Sequence, residues 1–398
     1  VNKPKTAAYR APGSPQVAFA MESAVEELCE EAGWDSMQFR IDNVSREGTR
    51  RGDGVLFSKI GMEEVLEAAK NSDHWNAPLG DPPPGKKRGR GMASGYWFNI
   101  GLKSSVNLAV NSDGTVTLVE GSPDIGGTRV AMAMHVAEVL GIAAERVKPS
   151  IADTDSIGYS SGAGGSGVTF KMGTAVYRAA EDVRQQLIER AARIWDVTPD
   201  DVEYEDGELH HKEDPELRMT LKQIARRLNG TGGPIVGRAT ANPAGVGNAF
   251  ALNIVDVEVD PETGKVDILR CTAIQDAGKA IHPSYVEGQI QGGLVQGIGW
   301  ALNEEYFVDN QGLMLNSSFL DYRMPISLDL PMIDTVIVEV ANPGHPLGVR
   351  GVGEVCLVPP MAAVANAISH AVGVRTNRLP MNPGSLLEVL WEKERNGA

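Results

Sequence analysis

One carboxylate, Glu354, ends a glycine-rich stretch, residues 348–354, that contains three glycines. Glycines let a backbone bend sharply and approach another body closely. Six uncharged, mostly apolar residues follow Glu354, and the apolar run 361–368 comes directly after them. A carboxylate between a glycine loop and an apolar segment is expected to be partly desolvated, which suits it to take and return a proton. The same pattern also fits a glycine turn with a helix-capping glutamate, so both interpretations stay open at this point.

Two further glycine-rich segments, 121–128 and 160–169, each precede a predicted helix. Free backbone N–H groups at the start of a helix bind anions, so both segments are candidates for holding a phosphorylated ligand. Neither has the Gly-Lys-Ser/Thr of a Walker loop or the spacing of the dinucleotide fingerprint. A sterically required turn and a flexible surface loop are the alternatives. In the second segment, four glycines and three serines could wrap such a ligand with backbone amides and hydroxyls.

Three side chains elsewhere could contribute to a ligand site. Arg10 precedes a Pro–Gly turn at a predicted helix start, where it could point into a cleft or make a surface ion pair. Tyr96 belongs to three consecutive aromatic residues, at least two of which are expected in the core. Gln289 lies on a predicted helix, 286–302, whose glutamine amides could bind the edge of a heterocycle. Close packing of that glycine-spaced helix against a neighbour is an equally good explanation of its composition.

Helical and alternating periodicities are both present, which predicts mixed α and β structure. Pro/Gly-rich stretches suggest boundaries near 85 and 232, and hence segments 1–85, 86–232 and 233–398. Ser14 is a candidate cap for the first helix, and the acidic stretch 199–217 is expected to be a solvated edge. The other predicted helices are 62–70, 130–140, 172–195, 221–228, 361–371 and 384–394, and the predicted strands are 106–110, 115–120, 147–151, 250–259 and 265–275.

The composition disfavours several classes of protein. The 398 residues carry 37 basic and 52 acidic side chains, a net charge of −15, which disfavours a broad surface for nucleic acid or anionic membrane. The three cysteines are widely spaced without a CxxC, so this chain is not expected to hold an iron–sulfur cluster or a structural zinc. No apolar run is judged long enough to span a membrane. We expect a cytoplasmic location, with the periplasm as the alternative.

Several motifs occur together in the order found in one family. The chain resembles the molybdenum-binding subunit of the xanthine dehydrogenase/aldehyde oxidase family of molybdenum hydroxylases, over nearly all of this sequence but only the C-terminal part of a full family subunit. Together the motifs are specific, although none would suffice alone. They are residues 8–13 (AYRAPG), 162–169 (GAGGSGVT), 173–176 (GTAV), 276–278 (DAG), 282–283 (HP), 288–289 (GQ), 351–354 (GVGE) and 379–380 (LP) with Pro383.

The resemblance implies roles for individual residues. Glu354 matches the family's active-site glutamate, which removes a proton from the water that supplies the oxygen atom. Arg10 and Gly165 match positions close to the molybdenum, through proximity or backbone rather than side-chain ligation. Tyr96 and Pro12 match positions near the substrate. The cofactor-binding positions implied for the pterin and its phosphates are Arg10, Gly126, Gly127, Gly164, Gly165, Ser166, Gly167, Gln289 and Gly353.

Two positions depart from the family pattern. Gly127 stands where many relatives carry a glutamine that bonds the cofactor, so that contact is expected to be missing or made by another residue. Ala11 stands where carbon monoxide dehydrogenases carry a copper-binding cysteine, which disfavours that branch. The family's earlier segment is also absent from this sequence, so we expect a companion chain to carry it, similar to the split large subunit of nicotinate dehydrogenase.

The predicted fold is therefore α+β, with two mixed α/β lobes of the molybdopterin-binding type and an N-terminal helical segment that completes a domain begun in another chain. The expected function is hydroxylation of an electron-poor carbon, as in a nicotinate- or purine-like ring, active only in a complex. An aldehyde-oxidising member and a non-catalytic scaffold are the alternatives. The resemblance implies molybdopterin with molybdenum, in its cytosine dinucleotide form, with iron–sulfur clusters and FAD confined to partner chains: an iron–sulfur subunit and a flavin subunit.

Overall fold

Strands from distant parts of the chain form the framework of the protein. The computed structural model describes residues 5–152, 155–243 and 247–397, so the first four residues of the predicted N-terminal segment lie outside the description. In the described part of the chain, eleven strands form two four-stranded sheets and one three-stranded sheet. They are β1 (Lys87–Phe98), β2 (Ser104–Val110), β3 (Val116–Glu120), β4 (Val147–Ile151), β5 (Val202–Glu205), β6 (Glu208–His211), β7 (Arg218–Thr220), β8 (Val236–Ala241), β9 (Asn248–Asp260), β10 (Lys265–Asp276) and β11 (Ile333–Val338).

Helices cover the faces of these sheets. Most predicted helices are present within a few residues of their expected bounds, which confirms the mixed α+β class. The α-helices of the described residues are α1 (Ser14–Ala32), α2 (Ser36–Asp42), α3 (Met62–Lys70), α4 (Asp73–Asn76), α5 (Thr128–Leu140), α6 (Gly173–Trp195), α7 (Leu221–Ala225), α8 (Pro283–Leu302), α9 (Pro360–Val372) and α10 (Pro383–Gly397).

The first sheet has the order β1-β9-β10-β11. Its antiparallel pairs are β1–β9 and β9–β10, while β10 and β11 run parallel. One face is covered by α8, α9 and α10, and the other by α2 and α3. Because β9 is covered on both faces, nearly all of its residues are buried, and buried and exposed positions do not alternate along it.

The second sheet has the order β4-β3-β2-β8, and α5 and α6 pack against it. Strand β8 follows the predicted boundary at 232 but completes this sheet, whereas β1 precedes that boundary and joins the first sheet. Strand pairing therefore crosses the predicted division of the chain. The predicted solvated edge at 199–217 contains β5 and β6, which form a small sheet with β7 directly after it, and this sheet was not predicted from the sequence. Val202 and Tyr204 of β5 face the core beside α6, and the alternate glutamates face solvent.

Glycines on one face of β1 let α9 lie directly on the strand. A Cβ atom at Gly91 would stand 2.2 Å from the backbone nitrogen of Ala367 and 2.3 Å from the carbonyl oxygen of Ala363, so the helix backbone occupies the space of a side chain. Gly89 makes the same kind of close approach to α9. This contact places the segment just before α9, which includes Glu354, over the C-terminal end of β1.

Two local expectations differ from the structure. The cap of α1 is Gly13, in the left-handed conformation, and Ser14 instead donates its hydroxyl hydrogen to the Tyr96 carbonyl, 2.9 Å away, which ties α1 to β1. The helical stretch Val355–Val372 is long and apolar enough to cross a membrane by length and composition, which the sequence analysis did not recognise. Because 83% of that stretch is buried inside the fold, it is a core segment that covers the first sheet.

We predict that Gly91→Ala lowers the free energy of unfolding by about 1–3 kcal/mol, because the new methyl group must displace the backbone of α9. Thermal and chemical denaturation of the protein measure this change. Gly52→Ala is the matched control: its new methyl group meets nothing within 4 Å, so its stability should change by no more than about 0.5 kcal/mol. Equal stability of the two variants would contradict the close α9–β1 contact.

Candidate active site

A cavity of about 520 Å³ brings together most of the residues that the sequence predicted. Its walls come from the Arg10 loop, the two glycine segments, the first turns of α8 and the 349–354 loop. It is large enough for a cofactor-sized ligand. The predicted residues that line it are Arg10, Gly126, Gly127, Gly164, Ser166, Gly167, Gln289, Gly353 and Glu354.

Glu354 accepts three hydrogen bonds from three separate segments. Its Oε1 accepts from the Ala11 backbone N–H at 2.9 Å, and its Oε2 accepts from the Trp97 indole N–H and from the Ser166 hydroxyl, each at 2.9 Å. An ionised carboxylate offers about four acceptor positions. Two are filled at Oε2 and one at Oε1, so Oε1 keeps one acceptor position for a reactant. The geometry is that of a fixed proton acceptor and differs from that of a helix cap, whose side chain would accept from its own helix.

Arg10 lies beside Glu354 and contacts the same loop. Its Nε donates to the Gly353 carbonyl at 2.6 Å, and its Nη2 donates to the Gln289 carbonyl and to the Cys356 sulfur, each at 3.2 Å. Its Nη1 donates to Gln296 Oε1 at 3.1 Å. None of the ion pairs in the described residues involves Arg10, so its positive charge remains available to the cavity that it lines.

Lys171 donates hydrogen bonds from the protein interior to the second glycine segment. It is 1% exposed, and its Nζ donates to the carbonyl oxygens of Ser161 and Gly162 at 3.2 and 2.6 Å and to the Ser161 hydroxyl at 2.9 Å. Burial lowers the pKa of Lys171 below its ordinary value. A turn of π-helix, Val168–Met172, connects this segment to α6, a feature often found beside functional sites. The glycine segment is therefore a braced part of the cavity wall and not a flexible surface loop.

Three helical starts face the cavity. Residues 126–128 precede and begin α5, residues 167–169 begin the turn that leads into α6, and His282, Tyr285 and Val286 begin α8. Unsatisfied backbone N–H groups and the helix dipole give each start a partial positive charge. Lys279 also lines the cavity. The arrangement favours an anionic group such as a phosphate.

At Gly127, where many relatives carry a glutamine, a side chain of α8 fills the space that a side chain would need. A Cβ atom at Gly127 would stand 2.2 Å from the ring of Tyr285, so this ring occupies the space of a side chain at 127. A Cβ atom at Gly126 would similarly meet the Gln289 side chain at 2.8 Å. The Gln289 amide lines the cavity and receives no hydrogen bond from the described residues, which leaves it available to a ligand.

Three predicted residues do not line this cavity. Gly165 is buried with a φ of +57°, and a Cβ atom there would meet the Ile100 side chain at 2.3 Å, so its backbone is needed for packing within the chain. Tyr96 lines a separate cavity of about 400 Å³ beside α1, and its ring packs against Phe57 and Phe250. Pro12 is exposed and lines neither cavity.

A buried ion pair fixes the loop that carries Glu354. Arg350 Nε lies 2.9 Å from Asp276 Oδ2, and both side chains are fully buried. Arg350 also donates to the carbonyl oxygens of Val340, Asn248 and Lys59 at 3.0, 2.9 and 2.7 Å. Burial raises the pKa of Asp276 to about 6, although Arg350 opposes that change. The loop is thus joined to β9, to the chain after β11 and to the N-terminal segment.

Trp97, Tyr285 and Lys171 were not predicted from the sequence to be functional. Trp97 had one usable signal: it shares its strand face with Gly89, Gly91 and Gly95, which approach the segments next to Glu354. No sequence signal marks Tyr285 or Lys171, because only the fold brings them to the glycine segments. Within the described residues there is no group of three or more His, Cys, Asp or Glu side chains that could hold a metal ion directly.

Comparison with known proteins identifies the family. The profile of the molybdopterin cofactor-binding domain matches residues 27–331, and a second profile of the same description matches residues 1–44. The xanthine dehydrogenase molybdenum-binding subunit of Escherichia coli O157:H7 is 32% identical over 97% of this chain and 54% of its own length. The aldehyde oxidoreductase molybdenum-binding subunit of Escherichia coli (strain K12) is 30% identical over 97% of this chain and 53% of its own length.

The structural comparison agrees with these matches. Quinoline 2-oxidoreductase from Pseudomonas putida 86 superposes with a TM-score of 0.86 at 24% identity, over 97% of this chain and 53% of that chain, which shows a shared fold. The chain belongs to the molybdopterin cofactor-binding domain family, as its motifs predicted. It spans about half the length of the curated relatives that it matches.

We predict that Lys171→Met speeds amide hydrogen exchange of residues 161–164 at least tenfold. The substitution removes three hydrogen bonds from a buried ammonium group to this segment, and a tenfold change corresponds to about 1.4 kcal/mol. Lys148→Met is the control, because Lys148 is 60% exposed and its ion-pair partner, Asp113, lies 3.9 Å away. Unchanged exchange in the Lys171 variant would mean that this lysine does not brace the segment.

Proposed function

We propose that this chain is the part of a molybdenum hydroxylase that binds the pterin cofactor and supplies the catalytic base. The observation that carries the proposal is Glu354, held by three donors at the edge of a cavity that is suited to an anionic ligand. A scaffold that had lost catalysis would have no need to fix one carboxylate in this way. The family membership supports the same assignment.

The residues present fit a molybdopterin cofactor. The three helical starts, Arg10 and Lys279 suit its phosphate, and the free Gln289 amide suits the polar edge of a pterin ring. The cytosine dinucleotide form of the cofactor is part of the proposal, since the cavity adjoins several helix starts that could hold a longer phosphate chain. When bound, the cofactor supplies the two-electron oxidation of the substrate carbon, with water as the source of oxygen.

Glu354 is the general base of this reaction. Its two oxygens are held by Ala11, Trp97 and Ser166, so the carboxylate presents the remaining acceptor position of Oε1 in a fixed direction. A proton taken from water at that position passes to solvent before the next turnover, because oxidation of the carbon with water as the oxygen source releases two protons and two electrons. Arg10 keeps the loop in place through the Gly353 carbonyl and adds positive charge beside the site.

The proposed substrate is an N-heterocycle with an electron-poor carbon. Two of the relatives described above are named for xanthine and for quinoline, which are both N-heterocycles. The competing candidate is an aldehyde, which the name of the Escherichia coli (strain K12) relative supports. Turnover of purine-, pyridine- and quinoline-type rings, compared with that of aromatic aldehydes by the purified complex, separates the two.

The proposed assembly contains further polypeptides. The half of the relatives that this chain does not span would complete the cofactor cavity. An iron–sulfur subunit would accept the electrons, because the three cysteines here are free, buried and far apart in the sequence. A flavin subunit with FAD completes the proposal, and the buried free thiols fit a reducing compartment, the cytoplasm.

Glu354→Gln is expected to lower the hydroxylation rate of the complex by a factor of about 10²–10⁴, because an amide of the same shape cannot take the proton. Molybdenum content, measured by elemental analysis, and subunit composition should stay near those of the wild type. Glu287→Gln, an exposed carboxylate on α8 outside the cavity, is the control and should retain activity. Near-normal turnover of a fully loaded Glu354 variant would reject the base assignment.

Gly164→Val is expected to reduce the molybdenum and pterin content of the complex at least fivefold. Gly164 lines the cavity, and a Cβ atom there would meet nothing within 4 Å, so a valine enters the ligand's space without disturbing the chain. Gly162→Val is the matched control: it is equally open and lies two residues away, outside the cavity lining. Gly165 would be a poorer position, because its substitution collides with Ile100. Full metal content in the Gly164 variant would place the cofactor elsewhere.

A further inference from the structure

The side chain of Gln296, on α8, connects two neighbouring residues that line the cavity. Its Oε1 accepts a hydrogen bond from Arg10 Nη1 at 3.1 Å, and its Nε2 donates to the hydroxyl oxygen of Tyr9. Tyr9 and Arg10 both line the cavity, whereas Gln296 does not. A residue outside the cavity wall therefore holds two side chains of that wall.

The orientation of the Gln296 amide follows from the chemistry of its partners. A guanidinium has donors and no acceptor, so the amide oxygen must face Arg10. The amide nitrogen then faces Tyr9, whose hydroxyl oxygen accepts the hydrogen bond. An apolar side chain of similar length at this position would supply neither contact.

Arg10 makes four hydrogen bonds, one fewer than its five N–H groups allow. Three of them come from Nε and Nη2, which donate to the Gly353 carbonyl, the Gln289 carbonyl and the Cys356 sulfur. The bond to Gln296 is the one that Nη1 makes within the described residues. Gln296 therefore holds the side of the guanidinium that the other partners leave free, and it limits the direction of the remaining N–H.

The contacts of Arg10 lead directly to the catalytic carboxylate. Arg10 Nε donates to the carbonyl of Gly353 at 2.6 Å, and Glu354 is the next residue. Ala11 follows Arg10, and its N–H donates to Glu354 Oε1 at 2.9 Å. The Arg10 loop and the Glu354 loop are thus joined at two adjacent points, so a displacement of Arg10 would act on Glu354 through both.

Helix α8 contacts Arg10 at two successive positions. Gln289 and Gln296 lie seven residues apart, which is close to two helical turns, so both are on the same side of the helix. Arg10 donates to the main chain of the first and to the side chain of the second. Between them, α8 packs on the segment after Glu354, where a Cβ atom at Gly293 would stand 2.3 Å from the Cys356 sulfur.

We propose that Gln296 is a positioning residue for the hydroxylation reaction. It keeps Arg10, and through Arg10 the carboxylate of Glu354, in the reactive geometry without lining the cavity itself. This inference rests on the proposed function. Misplacement of a reacting group by about 1 Å can lower a rate by a factor of about 10². Gln296 is therefore expected to affect kcat more than KM.

The first test compares two substitutions of Gln296 in the assembled complex. Gln296→Met removes both polar contacts at similar size, whereas Gln296→Glu keeps an oxygen for Arg10 and can accept from the Tyr9 hydroxyl. Turnover is measured with the purine-, pyridine- or quinoline-type ring that the wild-type complex oxidises fastest. We expect Gln296→Met to lower kcat by a factor of about 10–100 and to change KM by less than about threefold.

The conservative variant and a matched control decide what this loss means. Gln296→Glu should recover kcat to within about threefold of the wild type, because it restores the position of Arg10. Gln291→Met makes the same chemical change at an exposed position of α8 outside the cavity and should leave kcat unchanged. Normal kcat in Gln296→Met, or an equal loss in Gln296→Met and Gln296→Glu, overturns the proposal.

The second test needs no turnover. Amide hydrogen exchange of residues 8–13 reports the Ala11 N–H that donates to Glu354. This exchange should be about fivefold faster or more in Gln296→Met and unchanged in Gln296→Glu and Gln291→Met. Strand β9 is the internal reference, because a general loss of stability would speed its exchange as well. Unchanged exchange of 8–13, or equal acceleration in β9, overturns the proposal.

The two tests separate this inference from the proposed function. A wild-type complex without molybdenum or without hydroxylation activity would contradict the proposed function. The exchange comparison would still decide whether Gln296 holds Arg10 and Glu354 together, because it reads only contacts within this chain.

Discussion

Three hydrogen-bond donors converge on the carboxylate of Glu354, and the site depends on that convergence. Ala11, Trp97 and Ser166 come from the loop before α1, from β1 and from the second glycine segment, which are far apart in sequence. A charged acceptor that is partly removed from water needs such partners, because its lost hydration is otherwise costly. The same three contacts therefore stabilise the junction between segments and fix the direction in which the carboxylate can accept a proton.

The loop that presents Glu354 is held by a second polar centre, the buried pair Arg350 and Asp276. Loss of one partner from such a pair leaves an uncompensated buried charge, at a typical cost of about 3–5 kcal/mol. The Nε hydrogen of Arg350 is directed to the Val340 carbonyl, so Asp276 Oδ2 gains the nearby charge without a hydrogen bond. This explains why burial dominates and the pKa of Asp276 is raised to about 6. The position of the Glu354 loop is thus set by the Arg350–Asp276 pair, whose hydrogen-bond partners come from distant segments and meet only in the complete fold.

Local features of the sequence predicted much of this arrangement. The glycine segments, the helix starts and Glu354 are recognisable because their function depends on residue types that are adjacent in the chain. For the three consecutive aromatic residues, 96–98, the sequence alone could not predict which one reaches the site. Successive side chains of a strand point to opposite faces, so Tyr96 and Trp97 cannot both reach the site, and only the position of α9 on β1 selects Trp97. The brace from Lys171 and the ring of Tyr285 beside Gly127 were likewise unpredictable, because they arise from contacts between distant segments.

Helix α8 lies along both the cavity and the segment that follows Glu354. Tyr285 and Gln289 at its beginning line the cavity, and Gln296 further along accepts a hydrogen bond from Arg10. At about 1.5 Å per residue, its 20 residues span about 30 Å. Its central glycines lie against the segment after Glu354, where a Cβ atom at Gly293 would stand 2.3 Å from the Cys356 sulfur. A ligand that binds Gln289 would therefore contact the same helix that packs against the segment after Glu354.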